Sequence, residues 1–505
     1  MRYFNTSGQN IIKEHYTLMR PKLVAQALDK IRREQYLTIW TPHLAGKSTF
    51  FNLLTNKLEE EGYKVAYVNF QGFETATLED FLTEFHIRLY QCCGLSVKVN
   101  SIQSLFTDMT QIKNLKLVLI IDAVDGINYR FLEDLLLSIR VAFHSRAEQS
   151  LKSVILGSVS NVLSLAHDMR GSYNISDDFD LPYFSDAETL ELLAQHEIET
   201  GQLFDPSVKA KISEITANQP GLVSGLAAKL VDNNPLKPVI NYDDYLLAEK
   251  QYLSDLMDKD STKIISKAKK YRSFIERRLF TDSSVRFQIL QEHIRELFFY
   301  GIIAHDDDYY INFRVPLYEK CLHQAFYPSV KDEIKRIQKN IDSSAYFTSE
   351  GFSMPKLIET YKKYVSKAGF GYFLERDKNG KAVSIKEAAL IYSFETYINA
   401  FLDVVGGTSY RDAHTTLNGI DTIITINKEK ALVKNTVYQH VRLLNEAKEQ
   451  VADYAHKLGL NTATYMVFVN SEVTNEYIVE KSDFFNDKNV RVTTYLIRYD
   501  LETDF

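Results

Sequence analysis

The sequence is poor in the residues that staple a chain or keep it loose. Its three cysteines, Cys92, Cys93 and Cys321, are too few for a disulfide framework and lack zinc-site spacing; that pattern suits a reducing cytoplasm. Pro (10) and Gly (20) are scarce beside Tyr (31) and Phe (30), which argues against long disordered linkers. No uncharged apolar run reaches the roughly 18 residues of a membrane span, and the opening "MRYFNTSGQNIIKEHYTLMR" has no apolar signal core. Neither membrane nor secretion is therefore expected. Positive charge is not in excess either: a net charge of −7 excludes coating nucleic acid through overall charge and leaves only a local basic face open. At 505 residues the chain exceeds a single core, and about three or four domains are expected.

What is present begins with alternation. "YLTIW", "YKVAYVNF", "LKLVLII" and "LKSVILGS" read as buried strands, separated by helical patterns such as "KSTFFNLLTNKLEEEG" and "TLEDFLTEFHIRLYQ". Strands alternating with helices predict an α/β domain with a parallel sheet covered on both faces. Ligands of such sheets bind at the carboxyl ends of strands. There the sequence runs Thr41, Pro42, His43, Leu44, Ala45, Gly46, Lys47, Ser48, Thr49.

A phosphate-binding loop needs inward N–H groups, a helix N-terminus facing the anion, a lysine, and a hydroxyl for Mg²⁺. Lys47 and Ser48 supply the last two, and Gly46 permits close backbone approach. Thr41 stands where a glycine is usual, and Pro42 fixes φ inside the loop. The plain alternative is a strand-turn-helix with a chance Gly-Lys-Ser. Against it stands a second motif, "LKLVLIIDAVDGI", an apolar strand ending in Asp122, whose carboxylate would reach Mg²⁺ through water. The next residue, Ala123, cannot accept a proton, and Asp125 is the substitute at hand. Nucleotide binding without fast hydrolysis is the expectation.

The ordered motifs "MRYFNTSG", "HYTLMR", "GKST", "LIIDAVDGI", "SVILGSVSNV", "YNISDDFDLPYFSDAE" and "NQPGLVSGLA" resemble the prokaryotic AAA-like ATPases, in which an AAA-type module precedes a PD-(D/E)XK nuclease-like domain. The resemblance implies ATP and Mg²⁺ as cofactors. Thr41 to Thr49 and Asp122 would hold the nucleotide, and Ser48 and Asp122 the metal. It also implies Ser158 or Ser160 as γ-phosphate sensors. His43 departs from the family's arginine and Ala123 from its glutamate. No arginine stands beside "NQPGL" for a lid-borne sensor, and Arg170 is the candidate for action between subunits.

Ser185 and Glu188 form a capping box that opens a helical lid. Further on, "VRFQILQEHIRELFF" followed by an alternating "GIIAHDDDYYINFRV" with its turn at Asp306–Asp308 reads as a winged helix. Lys263, Lys267, Lys269, Lys270, Arg272, Arg277 and Arg278 lie nearby. They form either a nucleic-acid face or a solvated adaptor surface, and an acidic wing tip would repel phosphate.

The order from "IKEAALIYSFETYINAFLDVV" onward, helix, three strands, helix, strand, resembles the PD-(D/E)XK nuclease core. By that resemblance Glu395, Asp421, Lys434, Gln450 and Tyr454 take the catalytic positions. Leu432, however, replaces the acidic residue two before Lys434. Mg²⁺ needs several oxygen ligands, so a retained fold without cleavage is expected.

The expected architecture is an AAA-like P-loop NTPase core (1–184), a helical lid (185–235), a winged-helix-like domain (236–330), a helical linker (331–380) and a restriction-endonuclease-like α/β domain (381–505). The expected function is an ATP-binding switch or slow ATPase. The alternatives are an active ATP-dependent DNA nuclease and a scaffold with neither activity. Partners would be nucleotide, then DNA or protein, including a second copy of the chain.

Overall fold

The computed structural model describes every residue except 95–99, 113–114, 145–148, 160–174, 259–260, 281–283, 327–332, 350, 369, 371–372, 374, 377–381, 413–419, 471–472, 474–477 and 501–505. The chain divides into two compact units, Met1–Ala248 with Arg286–Tyr318, and Glu249–Val285 with Glu319–Phe505. The segment 236–330 read as one winged-helix domain is thus shared between them.

The first unit opens with helix α1 (Pro21–Arg32), strand β1 (Tyr36–Trp40), α2 (Lys47–Glu60) and β2 (Lys64–Asn69). Two helices follow, α3 (Leu78–Cys93) and α4 (Ile102–Thr110), and then β3 (Leu117–Asp122), α5 (Tyr129–His144), β4 (Leu151–Ser158) and β5 (Ser176–Asp178). The strands form one parallel sheet in the order β2-β3-β4-β1-β5. The four strands read from apolar runs are all present, while the short β5 carried no such run. Every residue of β3 is buried, as a central strand covered on both faces requires. On one face α1 and α2 bury Leu28, Phe51 and Leu54 against Ile39 and Ile120. On the other, α3, α4 and α5 bury Phe81, Phe106 and Leu135 against Val68 and Leu119.

The segment read as a lid follows as α6 (Asp186–Thr200), β6 (Leu203–Phe204), α7 (Pro206–Thr216), α8 (Pro220–Asn233) and β7 (Val239–Ile240). Ser185 and Glu188 make the expected reciprocal capping box, and Gly201, at φ 74°, ends α6 in the left-handed conformation. Helix α9 (Tyr242–Asp258) crosses into the second unit, which adds α10 (Ser261–Lys270) and α11 (Arg272–Phe280). The chain then returns to the first unit with α12 (Glu292–Phe299) and an antiparallel hairpin of β8 (Ile303–His305) and β9 (Ile311–Phe313).

Helix α13 (Pro316–Phe326) leads back to the second unit. There α14 (Glu333–Lys339), β10 (Phe347–Thr348), β11 (Gly351–Phe352), α15 (Met354–Ala368), β12 (Glu375–Arg376) and β13 (Ala382–Ser384) precede the main sheet. That sheet begins with α16 (Glu387–Val405), β14 (Thr408–Asp412), β15 (Ile420–Ile426), β16 (Glu429–Val437) and α17 (Val441–Lys457). It ends with β17 (Thr462–Val469), β18 (Lys481–Phe485) and β19 (Val490–Arg498). The six strands run in the order β14-β15-β16-β17-β19-β18, antiparallel in the β14-β15-β16 meander and parallel from β16 to β19. The helix-strand-helix order read from the sequence is met, with β18 as an additional antiparallel edge. Asn427 and Lys428, at φ 50° and 70°, make the tight turn that places Glu429 at the start of β16.

Candidate functional site

The loop from Thr41 to Gly46 joins β1 to α2 at the carboxyl edge of the parallel sheet. Thr41 is buried and its N–H continues the strand pairing, donating to the Ser158 carbonyl at 3.1 Å. A threonine is therefore tolerated there. The left-handed positions are Leu44 (φ 61°) and Gly46 (φ 86°). The glycine is needed at 46, where the turn enters the helix; Leu44 carries a strain of about 1–2 kcal/mol.

Two carbonyls of the loop are taken from outside. The Gln219 side-chain amide donates to the His43 carbonyl at 2.5 Å, and the Gly221 N–H donates to the Leu44 carbonyl at 2.9 Å. In a planar trans peptide the carbonyl and the following N–H point in opposite directions. The N–H groups of Leu44 and Ala45 are thus turned away from α8, and among the described residues no acceptor takes them. Free amides before a helix N-terminus, beside a lysine, are the donor set a polyphosphate requires. The residues present fit that group.

Lys47 and Ser48 begin α2, and Asp122 ends β3. The Lys47 ammonium lies 3.1 Å from Asp122 Oδ1, with both side chains largely buried. Asp122 also accepts from the Ala123 N–H at 2.8 Å and from the Tyr67 hydroxyl at 2.9 Å. The Tyr67 hydroxyl also accepts from Asn69 Nδ2 at 3.3 Å and is close enough to Ser48 to feel it, so it neighbours both groups that would hold Mg²⁺, Ser48 and Asp122. Burial, and then the Asp122 charge, push the Tyr67 phenol well above its ordinary value. It stays a neutral donor. Tyr67 was missed in the sequence; its signal is a hydroxyl near the end of a strand otherwise apolar between Val65 and Val68. A magnesium ion bound here would neutralise phosphate charge and orient water.

Ala123 sits at φ 54°, and a single 3₁₀ turn, Val124–Gly126, follows. That turn carries Asp125 across to β4, which lies between the loop strand and the Asp122 strand. Asp125 Oδ1 accepts from Ser158 Oγ at 2.6 Å and from the Val159 N–H at 3.3 Å. The substitute base is therefore engaged by the sensor-position serine. Ser160 and Arg170 lie outside the described residues.

The remaining loop residues are packed by neighbours within the first unit. A Cβ on Gly301 would stand 2.8 Å from Pro42 Cβ, and His43 and Tyr300 ring centroids are 6.1 Å apart. Thr49 Oγ1 accepts from the Asn10 N–H at 3.1 Å, and Asn52 donates to the Asn10 carbonyl at 3.1 Å. The N-terminal segment is thereby tied beside the loop. Arg20 ties the same segment to the lid through Glu188, at 2.9 Å.

The nuclease-like candidates are distributed differently. Asp421 and Lys434 are cross-strand partners on β15 and β16. Lys434 is only 4% exposed. Thr436, on the same face as Lys434, hydrogen-bonds Tyr465, and the two line a small space together with Leu443, Leu444 and Ala447 of α17. Lys434 therefore lies on the face that α17 covers. The Ser409–Asn399 bond, 2.7 Å, shows that α16, which carries Glu395, packs on the opposite face. Leu444, Ala447, Lys448, Val451, Ala452 and Ala455 form the buried stripe of α17. Gln450 is exposed and Tyr454 is half-buried, off that stripe. Among the described residues no group of three or more His, Cys, Asp or Glu could hold a metal ion. Asp421 and Lys434 thus share a register position, while α16, which carries Glu395, packs against the opposite face of the sheet.

Of the basic run, Lys269, Lys270, Arg272 and Arg277 are exposed in the second unit, whereas the hairpin turn at Asp306–Asp308 belongs to the first. No helix among the described residues is long and apolar enough to cross a membrane.

No family model and no curated protein matches this sequence. Solved structures do. The Walker-type ATPase of Pyrococcus abyssi superposes with a TM-score of 0.51 at 12% identity, covering 63% of this chain and 99% of that one. The Thermotoga maritima RuvB Holliday junction branch migration motor gives 0.35 at 14% identity over 58% and 90% of the two chains. The Aeropyrum pernix Orc1 protein in complex with DNA gives 0.34 at 14% identity over 60% and 92%. At such identity the first likeness concerns the fold alone. The parallel sheet with its loop at the β1–α2 junction is similar in fold to that Walker-type ATPase.

Proposed function

We propose that the protein binds ATP in the loop from Thr41 to Thr49 and acts as a nucleotide-gated switch or slow ATPase. The observation that supports this most is the row of unaccepted loop amides beside Lys47. Slow hydrolysis follows from Ala123 at the position of the usual base and from Asp125 bonded to Ser158. The test is thermal. At nucleotide concentrations about 100 times the Kd, a ligand specific for the native state adds about 2.7 kcal/mol. Mg-ATP is expected to raise the Tm of the wild type and leave Lys47→Ala unmoved. Equal shifts in both would defeat the reading.

For the second unit we propose a nuclease-like scaffold that does not cut, available for DNA or protein partners. Leu432 removes one carboxylate, and the burial of Lys434 under α17 keeps its ammonium from a scissile phosphate. Supercoiled and linear DNA are expected to remain intact with Mg²⁺ or Mn²⁺, with and without ATP. Cleavage lost in Asp421→Ala would establish the nuclease instead.

A further inference from the structure

The lid lacks the arginine that would read a nucleotide's terminal phosphate, and Gly221 occupies the turn where it would be carried. A Cβ there would already lie 2.7 Å from Leu44 Cβ, so the lid turn docks too closely to bear a long side chain. A cation nonetheless reaches this region from elsewhere in the chain.

Arg314 follows β9, at the exit of the hairpin. Its guanidinium carbon lies 4.6 Å from the centre of the Tyr183 ring. Arg314 is half-buried, and among the described residues no carboxylate pairs with it. The Tyr183 ring is half-buried, its hydroxyl oxygen is fully buried, and among the described residues that hydroxyl has no hydrogen-bond partner. Buried hydroxyls are nearly always satisfied, so an orphaned one calls for an explanation. Burial raises the Tyr183 phenol to about 12, which keeps it a donor. The place of this pair is fixed by Gly301: the point where a Cβ would stand is 3.2 Å from the Tyr183 hydroxyl and 2.8 Å from Pro42 Cβ. An unneutralised guanidinium and an unused buried donor therefore meet beside the mouth of the phosphate loop. Together they call for an anionic acceptor.

We propose that Arg314 and Tyr183 bind the terminal phosphate of a nucleoside triphosphate held in the loop and set its preference for ATP over ADP. This rests on the loop holding a nucleotide. Because Arg314 is borne by the hairpin segment rather than by the lid, loss of the terminal phosphate would release a contact between that segment and the loop. A switch of this kind needs no fast hydrolysis, only a different affinity for the two nucleotides.

The experiment measures Kd for Mg-ATP and Mg-ADP on the full chain, for wild type, Arg314→Gln, Arg314→Lys and Tyr183→Phe. A charge-assisted bond of this type corresponds to about tenfold to a hundredfold in affinity. Arg314→Gln is expected to lower the ATP:ADP preference by at least about tenfold while ADP still binds. Arg314→Lys should restore part of the preference, and Tyr183→Phe should lower it by a smaller factor. An unchanged ratio in Arg314→Gln overturns the proposal and leaves the loop reading standing. Equal loss of both nucleotides in all three variants assigns the pair a structural role and also overturns it. A wild type that binds neither nucleotide removes the loop reading and this proposal together.

Discussion

At the scale of single residues, the site is a chain of hydrogen bonds rather than a motif. Lys47 and Tyr67 both hold Asp122, with Ser48 beside them, and only Lys47, Ser48 and Asp122 belong to the two sequence patterns that made the site legible. Gly-Lys-Ser and the aspartate ending an apolar strand could be read because their chemistry demands fixed spacing. Tyr67 could not, because a strand residue reaches its partners across the sheet, at a distance no sequence spacing encodes. Asp125 illustrates the same limit: its bond to Ser158 depends on a single turn after β3. Removing the Tyr67 hydroxyl should leave Asp122 and Ser48 less well oriented, and outer-shell losses of this kind cost about 10–100-fold in metal affinity. Tyr67→Phe is therefore expected to weaken the Mg²⁺ dependence of ATP binding by about that factor, with metal-free binding little changed. Titrating Mg²⁺ at fixed ATP checks it. The same variant has a pH signature. The native Tyr67 phenol is raised, so above about pH 10 the unfolded chain loses a proton that the native chain keeps. Its contribution is complete below that pH and declines above it, and urea unfolding between pH 9 and 11 should show a shallower decline for Tyr67→Phe.

At the scale of elements, what the sequence could not give is which helix leans on the loop. The capping box of α6 and the proline-started α8 were readable from local chemistry, since caps act within one turn. The docking of Gln219 and Gly221 on the His43 and Leu44 carbonyls joins residues some 180 positions apart and has no local signature. Gly221→Ala tests its importance. The added methyl would meet Leu44 Cβ at 2.7 Å and Cδ2 at 3.0 Å, and displacing packed atoms by this amount costs about 1–3 kcal/mol. A lower Tm is expected, with weaker nucleotide binding as the loop loses its outer support. An unchanged Tm would mean that the lid turn yields freely.

At the scale of the whole molecule, the parallel first sheet and the chain order of elements in the second were within reach of pattern reading, but the spatial strand orders and the division of the chain were not. Alternating strands and helices predict a parallel sheet wherever they occur. That residues 286–318 return to the first unit after an excursion through 249–285 follows from tertiary packing alone. The second unit shows the converse: its order of elements was legible, yet the burial of Lys434 and the face on which α16 packs depend on the register of β14 to β16. One measurement bears on the whole account most directly, a calorimetric titration of the full chain with Mg-ATP, beside Lys47→Ala. One nucleotide bound per chain by the wild type and none by the variant is the expected result. No heat in the wild type, or the same isotherm for both proteins, would contradict the claim that the loop between β1 and α2 holds a nucleotide.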